Sequence, residues 1–222
     1  MTVPFPIDWK HAMVVVAHPD DPEYGMAAAV ARWTREGKRV TYVLATSGET
    51  GIEGMPPSEA GPLREEEQRR AAAQVGVNRL IWLDLPDSRL SETPGLADAI
   101  GHALDAHPAD LVISTYRGPE WGPGLPNQAD HIAIGEATIE AVQGRDVWVF
   151  ENGPGSTHHV EVSDGDVQAA IRSLAEHQVY LAVLDPTTPV RAQARAVVYR
   201  SITRADRDSR VGFTLVSAPT RN

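Results

Sequence analysis

Residues 11–46 read HAMVVVAHPDDPEYGMAAAVARWTREGKRVTYVLAT. The run His11–Ala17 is short, apolar and β-branched, the composition of a strand buried on both faces. Pro22–Glu36 spaces its apolar residues as an amphipathic helix does, and Gly37 follows in the usual C-terminal position. Arg39–Thr46 is a second β-branched run. Strand, helix and strand in this order form a βαβ unit, whose two strands lie parallel.

The alternation continues outward. Leu63–Val75 reads as a helix stopped at Gly76, Arg79–Leu83 as a strand, and Leu96–Ala106 as a helix. Asp110–Tyr116 is a strand, Asp130–Gln143 a helix, and Asp146–Phe150 a strand. Two Gly- and Pro-rich loops interrupt the series, SGETGIEGMPPSEAGP at 47–62 and RGPEWGPGLPNQ at 117–128. The expected fold class is α/β, a Rossmann-like, mostly parallel sheet with helices on both faces. Right-handed crossovers then bring the carboxyl ends of the strands to one edge, where such sheets bind ligands. Beyond Phe150 the pattern is less regular. GPGSTHHVEV at 153–162 reads as a loop, Asp166–Leu184 as one long helix, and Pro189–Arg204 as a helix or a mixed helix–strand segment. No repeat or linker divides the chain, so one domain is expected over 1–222, with its core at about 11–150.

Composition narrows the function. The 222 residues carry 20 Lys+Arg against 30 Asp+Glu, a net charge of −10. That balance argues against a nucleic-acid partner, which needs a basic face, and against docking on anionic lipid. There is no cysteine, so any metal must be held by His, Asp or Glu. The opening MTVPFPIDWKHAM lacks the basic start and long apolar stretch of a secretory signal. No apolar run approaches the ~20 residues of a membrane span. A soluble, cytoplasmic protein is expected, and the sequence leaves a homo-oligomer open.

Two junctions carry the chemistry. At the end of the first strand, His18 and Asp21 stand three residues apart with Asp20 between them. One carboxylate would suffice to cap the following helix. Two carboxylates and a histidine call for a compensating positive charge, which a divalent cation supplies. The second junction, Pro126-Asn127-Gln128-Ala129-Asp130-His131, follows the fourth strand and lies on the same sheet edge. His131 can there meet His18 and Asp21. Two histidines and one carboxylate leave a coordination position open for water, the catalytic form of a zinc site. Asp130 is placed to orient a nearby imidazole or to cap its helix.

Ala17-His18-Pro19-Asp20-Asp21-Pro22-Glu23 resembles the AHPDDxE signature of the LmbE-like, or PIG-L, family of zinc de-N-acetylases. Further stretches agree with that family. Thr46-Ser47-Gly48-Glu49-Thr50-Gly51 resembles its TxGExG, and Arg64, Glu67, Ala71 and Gly76-Val77 resemble its R-x-x-E helix. Leu85-Pro86-Asp87-Ser88-Arg89-Leu90 resembles its LPDGxL loop, and Asp130-His131 the end of its HPDH motif. The resemblance implies that His18, Asp21 and His131 hold the metal and that Asp20 is the general base; Asp130, placed to orient an imidazole, is expected beside Asp20 among the catalytic residues. It implies a substrate-binding role for Arg64. It also implies a small N-acylated substrate, containing a sugar, from which an acyl group, normally acetyl, is removed by hydrolysis. Zinc is the expected ion, although ferrous iron or another divalent ion suits the same ligands.

One position departs from the motif. Gln128 stands where the family has the first histidine of HPDH. A glutamine donates a neutral hydrogen bond to an oxyanion but supplies no proton. Three readings follow: Asp20 carries all the proton transfer, His158 or His159 substitutes from elsewhere, or the activity is altered or lost. His177 is similar to a late family motif, with helical packing as the alternative. Trp121, among Gly118, Gly122 and Gly124, either stacks on a sugar ring or packs its own loop. The competing functions are a hydrolase of esters or phosphoesters and a non-catalytic α/β protein that keeps a metal or sugar pocket. A plain nucleotide-binding domain is disfavoured, because no GxGxxG or GxxxxGK[ST] turn follows any strand.

Overall fold

His11–Val16 is buried at every position and pairs in parallel with a strand on each side. Its unbroken apolar sequence follows from that central place, since both faces are covered. A computed structural model describes residues 2–205 and 208–220 of the chain. In chain order the elements are β1 (Val3–Pro4), β2 (His11–Val16), α1 (Asp21–Gly25), α2 (Ala27–Arg35), β3 (Arg39–Leu44), α3 (Pro57–Gln74) and β4 (Arg79–Trp82). A 3-10 turn (Leu90–Glu92), α4 (Leu96–Ala106), β5 (Leu111–Thr115), β6 (Glu120–Gly122), β7 (Leu125–Pro126), α5 (Ala129–Ala141) and β8 (Trp148–Asn152) follow. The last third adds β9 (His158–Val162), α6 (Asp164–Ala175), α7 (Gln178–Leu184), α8 (Val190–Ser201), β10 (Ile202–Ala205) and β11 (Asp208–Ser217).

The main sheet runs β1-β9-β11-β8-β5-β2-β3-β4, with β10 paired to β11. From β4 to β8 the neighbours are parallel. β11 enters antiparallel to both β8 and β9. Helices cover both faces, as expected. Residues of α2, α3, α6 and α8 share one core with Val14, Tyr42 and Phe150, while α4 and α5 pack on the other with Met13, Val15 and Val149. The chain steps from β2 to β3 and β4 on one side, then returns to β5 and β8 on the other. The reversal leaves a crevice outside the carboxyl ends of β2 and β5, the place where open α/β sheets take ligands.

Several expected elements are drawn differently. The helix over Pro22–Glu36 is two helices, broken at Met26, whose φ is −128°. The break lets the chain pass close to β8: a Cβ on Gly25 would overlap the Asn152 amide. α3 begins at Pro57, inside the segment read as loop. Pro57 at the helix start loses only an N–H that has no helical partner there, and Pro62 is carried within the helix. The long helix expected over Asp166–Leu184 is α6 and α7, separated at Glu176 and His177. Ser163 caps α6 through a reciprocal pair with Asp166. The segment 153–162 is not all loop, because His158–Val162 is β9. β11 was not expected, and it ties the C-terminal third to the core. Phe213 of that strand is fully buried 5.1 Å from Phe5 and 5.6 Å from Trp33 by ring centroids. Among the described residues no helix is long and apolar enough to cross a membrane.

Candidate active site

β2 ends at Val16, and the turn that follows carries His18, Asp20 and Asp21 into the crevice. Asp20 has φ 86°, a left-handed conformation unusual for a residue with a side chain. Neighbours hold it there. The Asp20 N–H donates to Gln68 Oε1 at 2.7 Å, and Arg64 Nη2 donates to Asp20 Oδ1 at 3.0 Å and to the Pro19 carbonyl at 2.8 Å. Both partners lie on α3, one turn apart, so the helix presents them together. Arg64 Nη1 also donates to the Gly48 carbonyl at 2.9 Å. Gly48 has φ +61°, and a Cβ there would collide with the guanidinium, so glycine opens the path by which Arg64 reaches Asp20.

Asp21 lies between the two histidines. Its Oδ2 accepts the His18 backbone N–H at 2.8 Å and stands 3.7 Å from His18 Nδ1; its Oδ1 is 3.0 Å from His131 Nε2. The outer nitrogen of each ring is held by oxygen. His18 Nε2 is 3.1 Å from Asp87 Oδ1 and 3.4 Å from Asp130 Oδ2, and His131 Nδ1 is 3.2 Å from Asn127 Oδ1. The inner nitrogens therefore face a shared carboxylate, while the outer partners fix ring orientation, as in many metal centres. The imidazole centroids are 5.3 Å apart.

Charge explains this arrangement. Burial favours neutral His18, but hydrogen bonds to Asp130 and Asp87 and the charge of Asp21 outweigh it and raise its pKa to about 10. Burial pushes Asp21 up, and the opposing charge of His131 and its hydrogen bond bring it down to about 2. Burial dominates at Asp20, against the pull of Arg64, and raises it to about 6. The carboxylates raise the pKa of both imidazoles, and a divalent cation in the same place would meet the same concentration of negative charge.

Among the described residues, two groups can offer three ligand atoms within 4.8 Å of one another: His18, Asp21 and His131, or His18, Asp87 and Asp130. The second group is already engaged. Asp130 accepts the backbone N–H of Ser88 at 2.7 Å and of Leu90 at 3.1 Å, and Asp87 Oδ2 accepts both the N–H and the hydroxyl of Thr50 at 2.8 and 2.7 Å. Those carboxylates tie loops together and brace His18. The first group fits a cation better, because its inner atoms converge without backbone duties beyond the one bond to His18.

The other expected residues fall as follows. Asp130 does not cap α5, whose N-cap is Gln128, and instead braces His18. Arg64 is 2% exposed; its ion pair is with Asp20, and Tyr180 stacks on it at 4.1 Å. Gln128 is exposed at the rim of the cavity. Trp121 lies in the lining, 5.3 Å from Tyr116 and 6.4 Å from His131 by ring centroids. His158 and His159 sit on β9 outside the cavity lining, and His159 pairs with Thr2.

Sequence reasoning gave no role to Asp87, Gln68 or Glu23. Gln68 binds Asp20 through one end and Glu23, at 3.3 Å, through the other, and Ser173 donates to Glu23 at 3.1 Å. His177, fully buried, lies 3.6 Å from Glu23. The spacing of Gln68 four residues after Arg64 was the available signal, since both must share a face of α3. Gln68→Leu is expected to cost about 1–3 kcal/mol, because it leaves the buried Asp20 N–H unsatisfied and takes one of its donors from buried Glu23. Urea unfolding reads this as a lower midpoint at unchanged slope; an unchanged midpoint would count against the network.

A paired-histidine, carboxylate-rich centre at the switch point of a doubly wound sheet defines the class, an α/β protein with a cation-ready site at its strand ends. A family model described as PIG-L, GlcNAc-PI de-N-acetylase, matches residues 13–142, and the chain belongs to that family. It is 35% identical over 140 residues to the "Probable N-acetyl-alpha-D-glucosaminyl L-malate deacetylase 2" of Bacillus anthracis, covering 60% of this chain and 59% of that protein. The match thus spans about three fifths of that relative's length. Among solved structures, N,N'-diacetylchitobiose deacetylase from Pyrococcus horikoshii superposes with a TM-score of 0.74 at 19% identity, covering 94% of this chain and 84% of the other. GalB, a 4-carboxy-2-hydroxymuconate hydratase from Pseudomonas putida KT2440, superposes with a TM-score of 0.66 at 19% identity, covering 96% and 98%. The fold is therefore shared by a deacetylase and a hydratase, and the reaction must be argued from the site.

Proposed function

We propose that this chain is a metal-dependent hydrolase that removes an acyl group, acetyl by its family, from the nitrogen of an amino sugar or related small molecule. One observation carries the reading: His18, Asp21 and His131 converge from two sheet-edge junctions, with the Asp20 carboxylate beside them. His18, Asp21 and His131 would hold the ion, with zinc the first choice for a His/His/Asp set. The ion would supply Lewis-acid polarisation of the amide carbonyl and a lowered pKa for water.

The remaining work belongs to side chains. Asp20, held by Arg64 and Gln68, takes the proton from the attacking water and returns it to the leaving nitrogen, so that amide and water become acid and free amine. Gln128 donates a neutral hydrogen bond to the oxyanion that forms at the acyl carbon. Asp130 acts through His18, whose ring it orients together with Asp87. Arg64 keeps Asp20 in place and lines the substrate cavity.

Gln128→Ala should lower kcat about tenfold to a hundredfold with little change in KM, near the lower end for an oxyanion donor. An unchanged kcat would remove Gln128 from the chemistry. The altered-activity reading rests on Gln128 and on the hydratase that shares the fold. Metal analysis of the purified protein, with a fluorescent screen for primary amine released from N-acetylated sugars, separates the two. Amine release from any such sugar supports hydrolysis. Metal-loaded protein that releases none would overturn it.

A further inference from the structure

The loop between β5 and α5 forms one wall of the cavity, and its β6–β7 hairpin brings Trp121 and Leu125 to the lining. Both ends of this loop close on one side chain. Asn127 Nδ2 donates to the Tyr116 carbonyl at 2.7 Å and to the Gly118 carbonyl at 2.9 Å, and the Asn127 N–H donates to the Pro119 carbonyl at 2.8 Å. The neck so formed is tight: a Cβ on Gly118 would overlap the Tyr116 ring. The other end of the same amide faces the ion site. Asn127 Oδ1 accepts the Gln128 N–H at 2.9 Å and stands 3.2 Å from His131 Nδ1.

These partners fix which way the amide points. The two carbonyls only accept, so they take its NH2 end; the Gln128 N–H only donates, so it takes the oxygen. An oxygen turned toward His131 places the proton of the neutral ring on Nδ1. The lone pair then falls on Nε2, the atom 3.0 Å from Asp21 that converges with the other proposed ligands. Backbone carbonyls at the neck of a substrate-facing loop thus select, through one side chain, the tautomer that a metal-binding histidine requires.

We propose that Asn127 is a positioning residue that couples the loop to the ion. With the loop clasped, His131 is set for the metal; with the metal bound, the loop is held in place beside the substrate. By linkage the coupling runs in both directions. This inference rests on the hydrolase reading for His131 as a ligand, and it makes substrate affinity depend on the same amide. Asn127→Asp and Asn127→Ala separate the two ends. Aspartate keeps an oxygen for His131 Nδ1 and the Gln128 N–H but has no donor for the Tyr116 and Gly118 carbonyls, whereas alanine loses both ends.

Chelator competition on the purified proteins should show zinc affinity about 10–100-fold weaker in Asn127→Ala and within about threefold of wild type in Asn127→Asp. Hydrogen exchange over 117–127, read by mass spectrometry, should be slowed by zinc in the wild type and in neither variant. KM for methyl N-acetylglucosaminide should rise in zinc-saturated Asn127→Asp with kcat little changed. A purely structural role would weaken the two variants alike. Equal zinc affinity in the two variants, exchange that zinc leaves unchanged in the wild-type loop, or an unchanged KM in Asn127→Asp overturns the coupling. The zinc and exchange measurements need no turnover. If they divide the variants as expected and no amine is released by any of the proteins, the hydrolase reading fails and the coupling stands. If amine is released and they do not divide the variants, the coupling fails and the hydrolase reading stands.

Discussion

Asp20→Asn is expected to lower kcat by about 10²–10⁴-fold while metal content stays at the wild-type level. The range is the usual contribution of a positioned general acid–base group. Asparagine keeps the size of the side chain and tolerates the left-handed backbone found at φ 86°. The Asp20 N–H keeps its bond to Gln68, and Arg64 keeps its bonds to the Pro19 and Gly48 carbonyls. What disappears is the basic oxygen. Parallel measurement of turnover and of metal by elemental analysis checks the expectation. Full activity in this variant would show that Asp20 is not the base. Loss of both metal and turnover would show that it is a ligand.

The second large effect is expected at His131. His131→Ala should bring metal content below about a tenth of wild type and abolish amine release. A three-ligand set reduced to His18 and Asp21 lacks the convergence that a tetrahedral site requires. The fold should survive, because among the described residues the His131 side chain hydrogen-bonds only Asp21 and Asn127, and alanine is a good residue for the first turn of α5. His158→Ala is the matched control. That ring lies on β9, away from the cavity lining, and its loss should leave metal and turnover intact. A His131→Ala protein that retains a full complement of metal would move the site to His18, Asp87 and Asp130.

The difference between Arg64 and Gln68 shows how far the sequence could be read. Arg64 drew attention through its motif, yet its burial and its grip on Asp20 depend on α3 lying beside the turn after β2. Gln68 had only its spacing from Arg64, and a glutamine on a polar helix face is ordinary until a buried N–H is found facing it. β11 was missed for a related reason. Val211, Phe213 and Leu215 alternate with smaller or polar residues as a strand should, but the run pairs with strands about fifty to seventy residues earlier.

The linear chain was sufficient for the parallel α/β architecture and for the histidines and aspartates at its edge, because alternation of strand and helix periods and a dense local motif are both short-range information. Which nitrogen faces inward, which carboxylates brace and which converge, and how the last seventy residues close the cavity were decided only in three dimensions. Those outcomes depend on contacts between segments far apart in the chain, where burial sets the strength of each charge and hydrogen bond.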